Sequence, residues 1–492
     1  MNRRSVLLGV ALALFALPSF AAVCPRNIPI GNCAPKSGTA TNFTGDTGPM
    51  RTRKSIFALN ATEIKELRLA FAKLRALPDT DPRRWLAQAN VHCWNCSGDS
   101  STKPDVHGDW AFMPWHRVYL YTLEKILGEL VGNPKFALPY WDWNTPDDPS
   151  CTTGNHRSIP PPYFPQTTGG TTTNSLWDCY RDQPQTSKMP NSQVGKSAID
   201  FIINNYDTFD LFFGKANQSA ALWPGPHGYV HVWTADHNVD FDNPKQDMGV
   251  LESAARDPLF WAHHANIDRL WDVWIAKYGV PSYPQAFLDQ NWTFWNQQNP
   301  SKLIRMSADD AANRATRLKY QYAKPSCKPE ATFVLQDLPV LDVIDLTVHP
   351  NTVVTTAATA KPVFKIREKS GTKVVLHLED VTVPSDQGAV LRVYLNHPNA
   401  TAATSPEDPR MIRELIIVPS RTPGSAHAEG HRSHSMNFVV VIPNELAREV
   451  EAANGEVPIT IVPVTGRGEE GILEATPKKS GVRMKKPFIS VE

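Results

Sequence analysis

The sequence predicts a mainly α-helical domain that carries most of the histidines, followed by a smaller all-β domain. Apolar residues recur at helical spacing in three long segments before residue 280, which indicates packed amphipathic helices. All 14 tryptophans lie before residue 335, so the composition changes there. Beyond it, short β-branched runs alternate with Pro, Gly and Asn, which is typical of an antiparallel sandwich. A chain of 492 residues, 41% of them hydrophobic, is long enough for one large core and a second smaller one.

Three helices are predicted with their ends. The segments are 60–77, 115–130 and 257–279. The first begins at a capping residue, either Asn60 or Thr62, and the third begins at the cap Asp257 and stops at Gly279. Between 145 and 200 the chain is rich in Pro, Thr, Gly and Asn, which predicts a loop.

Four segments follow from these patterns. They are an export signal (1–21), a helical domain that carries most of the histidines (22–335), a linker (336–363) and a β-sandwich domain (364–492).

The first 21 residues have the pattern of an export signal. "MNRR" is basic, "SVLLGVALALFALPSF" is apolar, and small residues follow at a suitable cleavage site. The pair Arg3-Arg4 is also compatible with twin-arginine export. Seven cysteines fit a protein with disulfides, and their odd number leaves one for another use. We therefore expect a periplasmic or secreted protein without a membrane span. A net charge of +1 without a long basic run argues against nucleic acid as a partner.

Six or seven histidines in aromatic surroundings form the candidate metal site. A single histidine of this kind is more often a hydrogen-bonded core residue, but here they recur in two clusters beside predicted helices. His227 and His231 are four residues apart, so on a helix they would share one face. Few acids lie nearby, and an all-imidazole set favours copper, although zinc has compatible ligands. The candidates are His92, His107, His116, His227, His231 and the pair His263 and His264.

Two other chemistries are weaker interpretations of the same residues. A zinc protease would need a glutamate directly after the first histidine of the HxxxH pair, and this chain has Gly228 there. "CWNC" at 93–96 resembles a redox pair, but no βαβ pattern surrounds it.

The adjacent His263 and His264 point about 100° apart on a helix, so one metal is unlikely to take both. Spacing alone leaves the choice open. Asp268, one turn after His264, favours that residue slightly because a carboxylate can support a ligating imidazole.

The motifs "NVHCWNC", "HGDWAFMPWHRVYLY", "PYWDW", "PHGYVHVW" and "RDPLFWAHHANIDRLW" occur in this order along the chain. With them the sequence resembles the type-3 copper family of tyrosinases, catechol oxidases and hemocyanins, and within it the plant-type polyphenol oxidases. The resemblance implies a four-helix bundle around two copper ions, with dioxygen as co-substrate. It assigns His92, His107 and His116 to the first copper, and His227, His231 and His264 to the second, which makes His263 a packed neighbour.

The resemblance also suggests a use for the odd cysteine. Cys96 matches a family position that forms a thioether with the second histidine of the first site, here His107. Cys93 matches a cysteine that pairs with the N-terminal segment. The expected disulfides are Cys33–Cys93, Cys151–Cys179 and, by elimination, Cys24–Cys327.

The resemblance implies oxidation of o-diphenols to o-quinones, with hydroxylation of monophenols as a further activity. Three positions depart from the plant-type pattern: Trp223 replaces a water-orienting glutamate, Leu251 a phenylalanine gate, and Gly228 an asparagine associated with hydroxylation. These departures make o-diphenol oxidation the safer expectation. The alternatives are an oxidase of o-aminophenols or phenolic acids at the same site, and a hemocyanin-type oxygen carrier.

Substrate choice is expected to depend on the side chains around the metals. The positions are Trp223, Gly228, Val232, Leu251 and Phe260. "KYQY" resembles the Tyr-x-Tyr signature that closes the catalytic domain in this family. The β domain after it resembles one that covers the copper site in latent forms, so its removal would activate the enzyme.

Overall fold

A computed structural model of the chain describes residues 38–96, 105–146, 155–169, 172–235, 247–296, 299, 302–326, 354–357, 373–382, 389–405, 407–418, 435–453, 457–464 and 484–491. Several expectations lie outside the described residues: the export signal 1–21, most of the linker, and the cysteines Cys24, Cys33, Cys151 and Cys327.

The described residues before 327 are mainly helical. The helices are α1 (Ala61–Ala76), α2 (Trp85–Trp94), α3 (Phe112–Val131), α4 (Asn191–Val194), α5 (Lys196–Asn205), α6 (Phe209–Phe213), α7 (Gly228–Thr234), α8 (Leu251–Ala254), α9 (Pro258–Tyr278), α10 (Gln285–Leu288), α11 (Ala308–Ala312) and α12 (Arg314–Arg317). The three predicted helices are confirmed as α1, α3 and α9. In the predicted loop 145–200, α4 and the start of α5 were missed.

The ends of the long helices follow local chemistry. Asn60, rather than Thr62, caps α1, because its side chain accepts from the backbone N–H of Glu63 and Glu63 bonds back to it. Asp257 caps α9 by accepting from the N–H of Leu259. Gly132, with φ of 71°, ends α3 in the left-handed conformation that glycine adopts without strain.

Both α3 and α9 are buried over most of their length, and they pack against each other in the centre of the domain. Small sheets close its surface. Strands β1 (Ala40–Asn42), β5 (Asn291–Trp295) and β6 (Leu303–Ser307) form one sheet, β2 (Arg51–Arg53) pairs in parallel with β7 (Tyr320–Tyr322), and β3 (Thr167–Thr168) pairs with β4 (Thr172–Thr173). No helix of the described residues is long and apolar enough to cross a bilayer.

The C-terminal domain contains two antiparallel sheets. Its strands are β8 (Val354–Ala357), β9 (Val374–Thr382), β10 (Ala389–Leu395), β11 (Met411–Ile417), β12 (Ser435–Val441), β13 (Pro458–Val464) and β14 (Phe488–Val491). The sheet orders are β11-β10-β13-β8 and β12-β9-β14.

Two expectations for this region need correction. The predicted linker 336–363 is too long, because β8 lies inside it and pairs with β13; a run of Val and Thr suits a strand. The domain is also not entirely β, because α13 (Asn444–Ala452) follows β12 and buries Leu446, Ala447 and Val450 on one face.

Candidate metal centre

The first histidine triad is buried between α2 and α3. His92 lies on α2, His107 in the loop before α3, and His116 on α3 itself, and none is more than 2% exposed. The ring centroids are 5.1 Å apart for His92 and His107, 5.2 Å for His107 and His116, and 5.6 Å for His92 and His116. The three imidazoles therefore surround one small volume.

The second triad converges more tightly. The Nε2 atom of His227 lies 3.1 Å from Nε2 of His231 and 3.3 Å from Nε2 of His264. Ligand nitrogens about 2 Å from one metal, in a tetrahedral arrangement, are separated by roughly 3.3 Å. The spacing fits a shared metal ion, and an all-imidazole donor set suits copper.

The two triads adjoin each other. The rings of His116 and His264 are stacked, with centroids 4.2 Å apart and planes within 11°. Among the described residues, Nε2 of His107 and Nε2 of His116 have no hydrogen-bond partner although both are buried. Buried nitrogens of this kind are expected to have a partner, and a metal ion supplies one.

Backbone carbonyls orient three of the six rings. Nδ1 of His92 donates to the carbonyl of Leu251 at 2.8 Å, and Nδ1 of His231 to that of Met248 at 2.8 Å. Nδ1 of His116 donates to the carbonyl of Phe112 at 2.7 Å. A carbonyl can only accept, so these Nδ1 atoms carry the proton and Nε2 keeps its lone pair for a metal.

The two carbonyls of Met248 and Leu251 belong to one short segment, Asp247–Ala254, which serves a ligand of each triad. Sequence reasoning missed this role. It considered only the side chain of Leu251, and a backbone contact leaves no signature in residue type.

Burial keeps these histidines neutral. Desolvation, with the neighbouring imidazoles as a second cause, lowers the pKa of His92, His116, His227 and His264 well below the usual value. For His231, burial lowers the pKa to about 3. Neutral imidazole is the form that binds metal ions, so this environment prepares the site for them.

His263 differs from His264 in its hydrogen bonding. Nε1 of Trp143 donates to Nδ1 of His263 at 3.1 Å. Since Nδ1 accepts, the proton of the neutral ring lies on Nε2, and neither nitrogen then offers a lone pair to a metal. The structure thus favours His264 as the ligand, although the ligand atoms of His227, His231, His263 and His264 all lie within 4.8 Å of one another.

The support that we expected Asp268 to give to His264 is not observed. The Asp268 carboxylate instead binds Arg53, Arg117, Tyr320 and Tyr322. Nδ1 of His264 has no partner among the described residues. Two buried guanidinium groups attract the carboxylate more strongly than a neutral imidazole does, and sequence spacing could not reveal them.

Aromatic rings line the space between the triads. Phe112 lies 4.8 Å from the ring centroids of both His116 and His227. Phe260 lies 4.1 Å from that of His264 and 4.8 Å from that of His92. Trp223, fully buried, contacts one histidine of each triad: its ring is 5.0 Å from His107 and 4.8 Å from His227. These aromatic rings therefore enclose the site.

Strand β11 of the C-terminal domain covers the second triad. A Cβ atom on Gly228 would lie 2.8 Å from the carbonyl oxygen of Ile416, and one on Gly225 would lie 2.8 Å from Nη2 of Arg413. Nη2 of Arg413 also donates to the carbonyl of Ala221 at 3.1 Å. Glycine at these two positions allows the strand to approach this closely.

The other predicted pocket residues are buried as well. Val232 lies on α7 and is 1% exposed, and Leu251 begins α8 and is 5% exposed.

The cysteines are described in part. Cys93 and Cys179 are disulfide-bonded, and the cysteines expected to pair with them lie outside the described residues. Cys96 is a free, buried thiol. Its Sγ lies 3.1 Å from Nδ1 of His92, and it forms a group with His92 and His107 whose ligand atoms lie within 4.8 Å of one another.

Residues 82–277 match the family model of the common central domain of tyrosinase. The chain is 33% identical over 325 residues to the latent form of a chloroplastic polyphenol oxidase of Prunus armeniaca, covering 59% of this chain and 51% of the relative. It is 29% identical over 536 residues to the chloroplastic polyphenol oxidase II of Ipomoea batatas, covering 95% of this chain and 87% of the relative. Other curated relatives are covered less completely, and the chain spans about half the length of several of them.

The fold is similar to that of a latent apple tyrosinase. The two superpose with a TM-score of 0.67 at 22% sequence identity, over 92% of this chain and 100% of the other. The match includes both the helical domain and the C-terminal domain, so the two-domain architecture is shared.

Proposed function

The chain belongs to the tyrosinase family of type-3 copper proteins, and on this premise we propose that it is a polyphenol oxidase that uses dioxygen to oxidise o-diphenols to o-quinones. The observation that carries the proposal is the pair of adjoining, neutral histidine triads: the Nε2 atoms of the second triad converge to 3.1–3.3 Å, and those of His107 and His116 in the first have no hydrogen-bond partner among the described residues. Hydroxylation of monophenols is the secondary activity in this proposal.

In this proposal His92, His107 and His116 hold the first copper, and His227, His231 and His264 the second. The copper pair would supply the electron exchange between dioxygen and the diphenol. The proposed four-helix bundle consists of α2, α3, α7 and α9. These helices carry four of the six proposed ligands, and His227 directly precedes α7. The chain itself orients the rings through backbone carbonyls and keeps them neutral. Phe112 and Phe260 exclude water from the space where a phenol ring would bind.

Cys96 is proposed to bond covalently to His107. The free buried thiol close to that ring supports the proposal. A thioether would restrict the rotation of the imidazole and help the site to keep one geometry in both oxidation states. The bond would form between Sγ and a ring carbon of His107 with loss of the S–H and C–H hydrogens, the two electrons passing to dioxygen. Intact-mass measurement of copper-loaded protein, after its disulfides have been reduced, would show a mass lower by one hydrogen pair. An unchanged mass would contradict the bond.

The C-terminal domain, proposed to be a sandwich of its two sheets, is assigned a shielding role that makes the enzyme latent. The contacts of Ile416 with Gly228 and of Arg413 with Ala221 support this role. Further contacts join the domains nearby: the N–H of Ser219 donates to the carbonyl of Asn437 at 3.1 Å, and Nδ2 of Asn437 to the carbonyl of Asn217 at 2.6 Å. Cleavage within 336–353, before β8, would allow the domain to leave.

The remaining proposals concern processing and location. Residues 1–21 are proposed as an export signal and the mature protein as periplasmic or secreted. The disulfides Cys33–Cys93 and Cys151–Cys179 are supported by the bonded state of Cys93 and Cys179. Cys24–Cys327 completes the set.

The decisive experiment is a turnover assay on copper-loaded protein, with and without limited proteolysis, that offers a catechol and a monophenol in parallel. We expect quinone formation from the catechol, more of it after proteolysis, and little from the monophenol. Reversible oxygen binding without turnover would instead indicate a carrier. Equal turnover of both substrates would show that hydroxylation needs no glutamate at position 223.

A further inference from the structure

Trp223 carries a buried polar group whose partner is missing. Its indole Nε1 has no hydrogen-bond partner among the described residues, and the side chain is fully buried. Leaving a buried donor unsatisfied destabilises the folded state, so native proteins rarely do so without a water, ion or ligand at that position.

The surroundings of the indole indicate where this partner lies. Its ring packs on His107 of the first triad and His227 of the second, and on Phe112 between them. The backbone from Trp223 to His227 is kinked at Gly225, whose φ of −119° and ψ of −113° are not helical, with Pro224 and Pro226 on either side.

The chemistry of indole restricts the partner to an acceptor. The N–H group donates only and has no lone pair or accessible pKa with which to take up a proton. A carboxylate at this position would do the opposite, because it accepts hydrogen bonds and protons.

We propose that the Trp223 indole N–H donates a hydrogen bond to an anionic oxygen that binds between the two histidine triads, supplied by solvent or by the phenolic group of the substrate. The inference rests on the proposed function, because the two triads attract anions only when they hold metal ions. The site then stabilises oxygen that is already ionised and offers no base at this position. Trp223 therefore favours phenols that ionise readily over those that need a base in the site to remove their proton.

The test compares the parent with Trp223→Phe, which keeps an aromatic ring and removes the N–H. Both proteins, in the oxidised dicopper form, are titrated with fluoride and with 4-nitrophenol, and dissociation constants are measured by absorption. We expect the variant to bind at least one probe about tenfold or more weakly, the size expected for a hydrogen bond to a charged group.

The two probes distinguish the source of the oxygen. If only 4-nitrophenol binds more weakly, the N–H donates to the oxygen of the substrate. If only fluoride binds more weakly, the N–H donates to a solvent-derived ligand. If both bind more weakly, the N–H can donate to either. Trp274→Phe is the matched control, because it removes a buried indole N–H that donates to the carbonyl of Tyr206, remote from the triads. Unchanged constants for both probes in Trp223→Phe, at parental copper content, overturn the proposal.

The outcomes separate this inference from the function beneath it. A parent protein that binds copper and oxidises catechol, with Trp223→Phe identical in both titrations, refutes the role of the indole alone. If Trp223→Phe loses copper, a crystal structure of the copper-loaded parent decides whether the indole N–H has an acceptor. An oxygen or fluoride within about 3.2 Å of Nε1 supports the proposal, and an indole N–H that faces only carbon overturns it.

Discussion

At the scale of single residues, the choice between His263 and His264 depends on one hydrogen bond. The indole of Trp143 occupies Nδ1 of His263, while Nε2 of His264 lies 3.3 Å from Nε2 of His227. The two side chains are both buried and adjacent in sequence, so neither burial nor residue type separates them. Their tautomers and directions do.

Replacing these two histidines should therefore affect copper binding differently. His264→Ala removes a proposed ligand of the second site, and we expect about half the copper content of the parent. His263→Gln keeps an acceptor for the Trp143 indole, and its copper content should equal that of the parent. Atomic absorption on purified protein measures both. A loss of copper from His263→Gln with none from His264→Ala would reverse the assignment.

At the scale of elements, the start of α9 combines a helix cap with a buried ion pair. The Asp257 carboxylate accepts from the N–H of Leu259 and pairs with Arg181 through two contacts, of 2.5 and 2.8 Å. Both side chains are at most 5% exposed. Because α9 carries His264, this cap also positions the candidate metal centre.

Breaking the pair should destabilise the helical domain strongly. We expect Asp257→Ala to lower the free energy of unfolding by about 3–5 kcal/mol, because it leaves a buried arginine unpaired and removes the cap. Asp257→Asn keeps the capping oxygen and should lose less. Urea unfolding of the three proteins provides the comparison. Equal stability of Asp257→Ala and the parent would show that neither the cap nor the ion pair contributes.

A second carboxyl beside this pair should make stability depend on pH. Burial, with the neighbouring Asp257 as a second cause, raises the pKa of Asp178 to about 6, above the value of about 4 in an unfolded chain. Folding therefore takes up a proton between about pH 4 and 6, and the contribution of this group to stability falls as pH rises through that range.

Asp178→Asn removes this ionisation. We expect the melting temperature of the variant to exceed that of the parent by a few degrees at pH 7.5 and to match it more closely at pH 4.5. Asp79→Asn, at a side chain that is 91% exposed, is the surface control. A difference that is the same at both pH values would contradict the raised pKa.

At the scale of the whole molecule, the contact between the domains explains the residue after His227. Gly228 faces the backbone of Ile416, and an added Cβ would approach its carbonyl oxygen to 2.8 Å. An asparagine at this position would clash with β11, so the proposed shielding of the site by this strand depends on glycine here.

We therefore expect Gly228→Asn to weaken the docking of the C-terminal domain. The ratio of catechol oxidation after proteolysis to that before it should decrease relative to the parent, because the uncut variant is already partly open. Protease should also cut the variant within 336–353 faster than it cuts the parent. Lys54→Asn, at a partly exposed residue far along the chain, is the control. An unchanged ratio would show that the contact does not control access.

The sequence by itself determined the helices α1, α3 and α9, the change to a β domain, and the set of histidines that meet at the candidate metal centre. These features depend on local information: helical spacing, capping residues and motifs of a few residues. The sequence prediction missed α13 and placed β8 inside the linker. Both segments are short, and the composition of the longer stretches around them does not reveal a single helix or strand.

Only the tertiary structure decided the matters that depend on distant contacts. Trp143 sets the tautomer of His263 from 120 positions away, and the carbonyl of Leu251 orients His92 across 159. The Asp268 carboxylate binds Arg53 instead of His264, and Gly228 meets a strand of the other domain. The physical reason is the same in each case: hydrogen bonds and close packing depend on the distance between atoms in the folded chain, which spacing along the sequence does not encode.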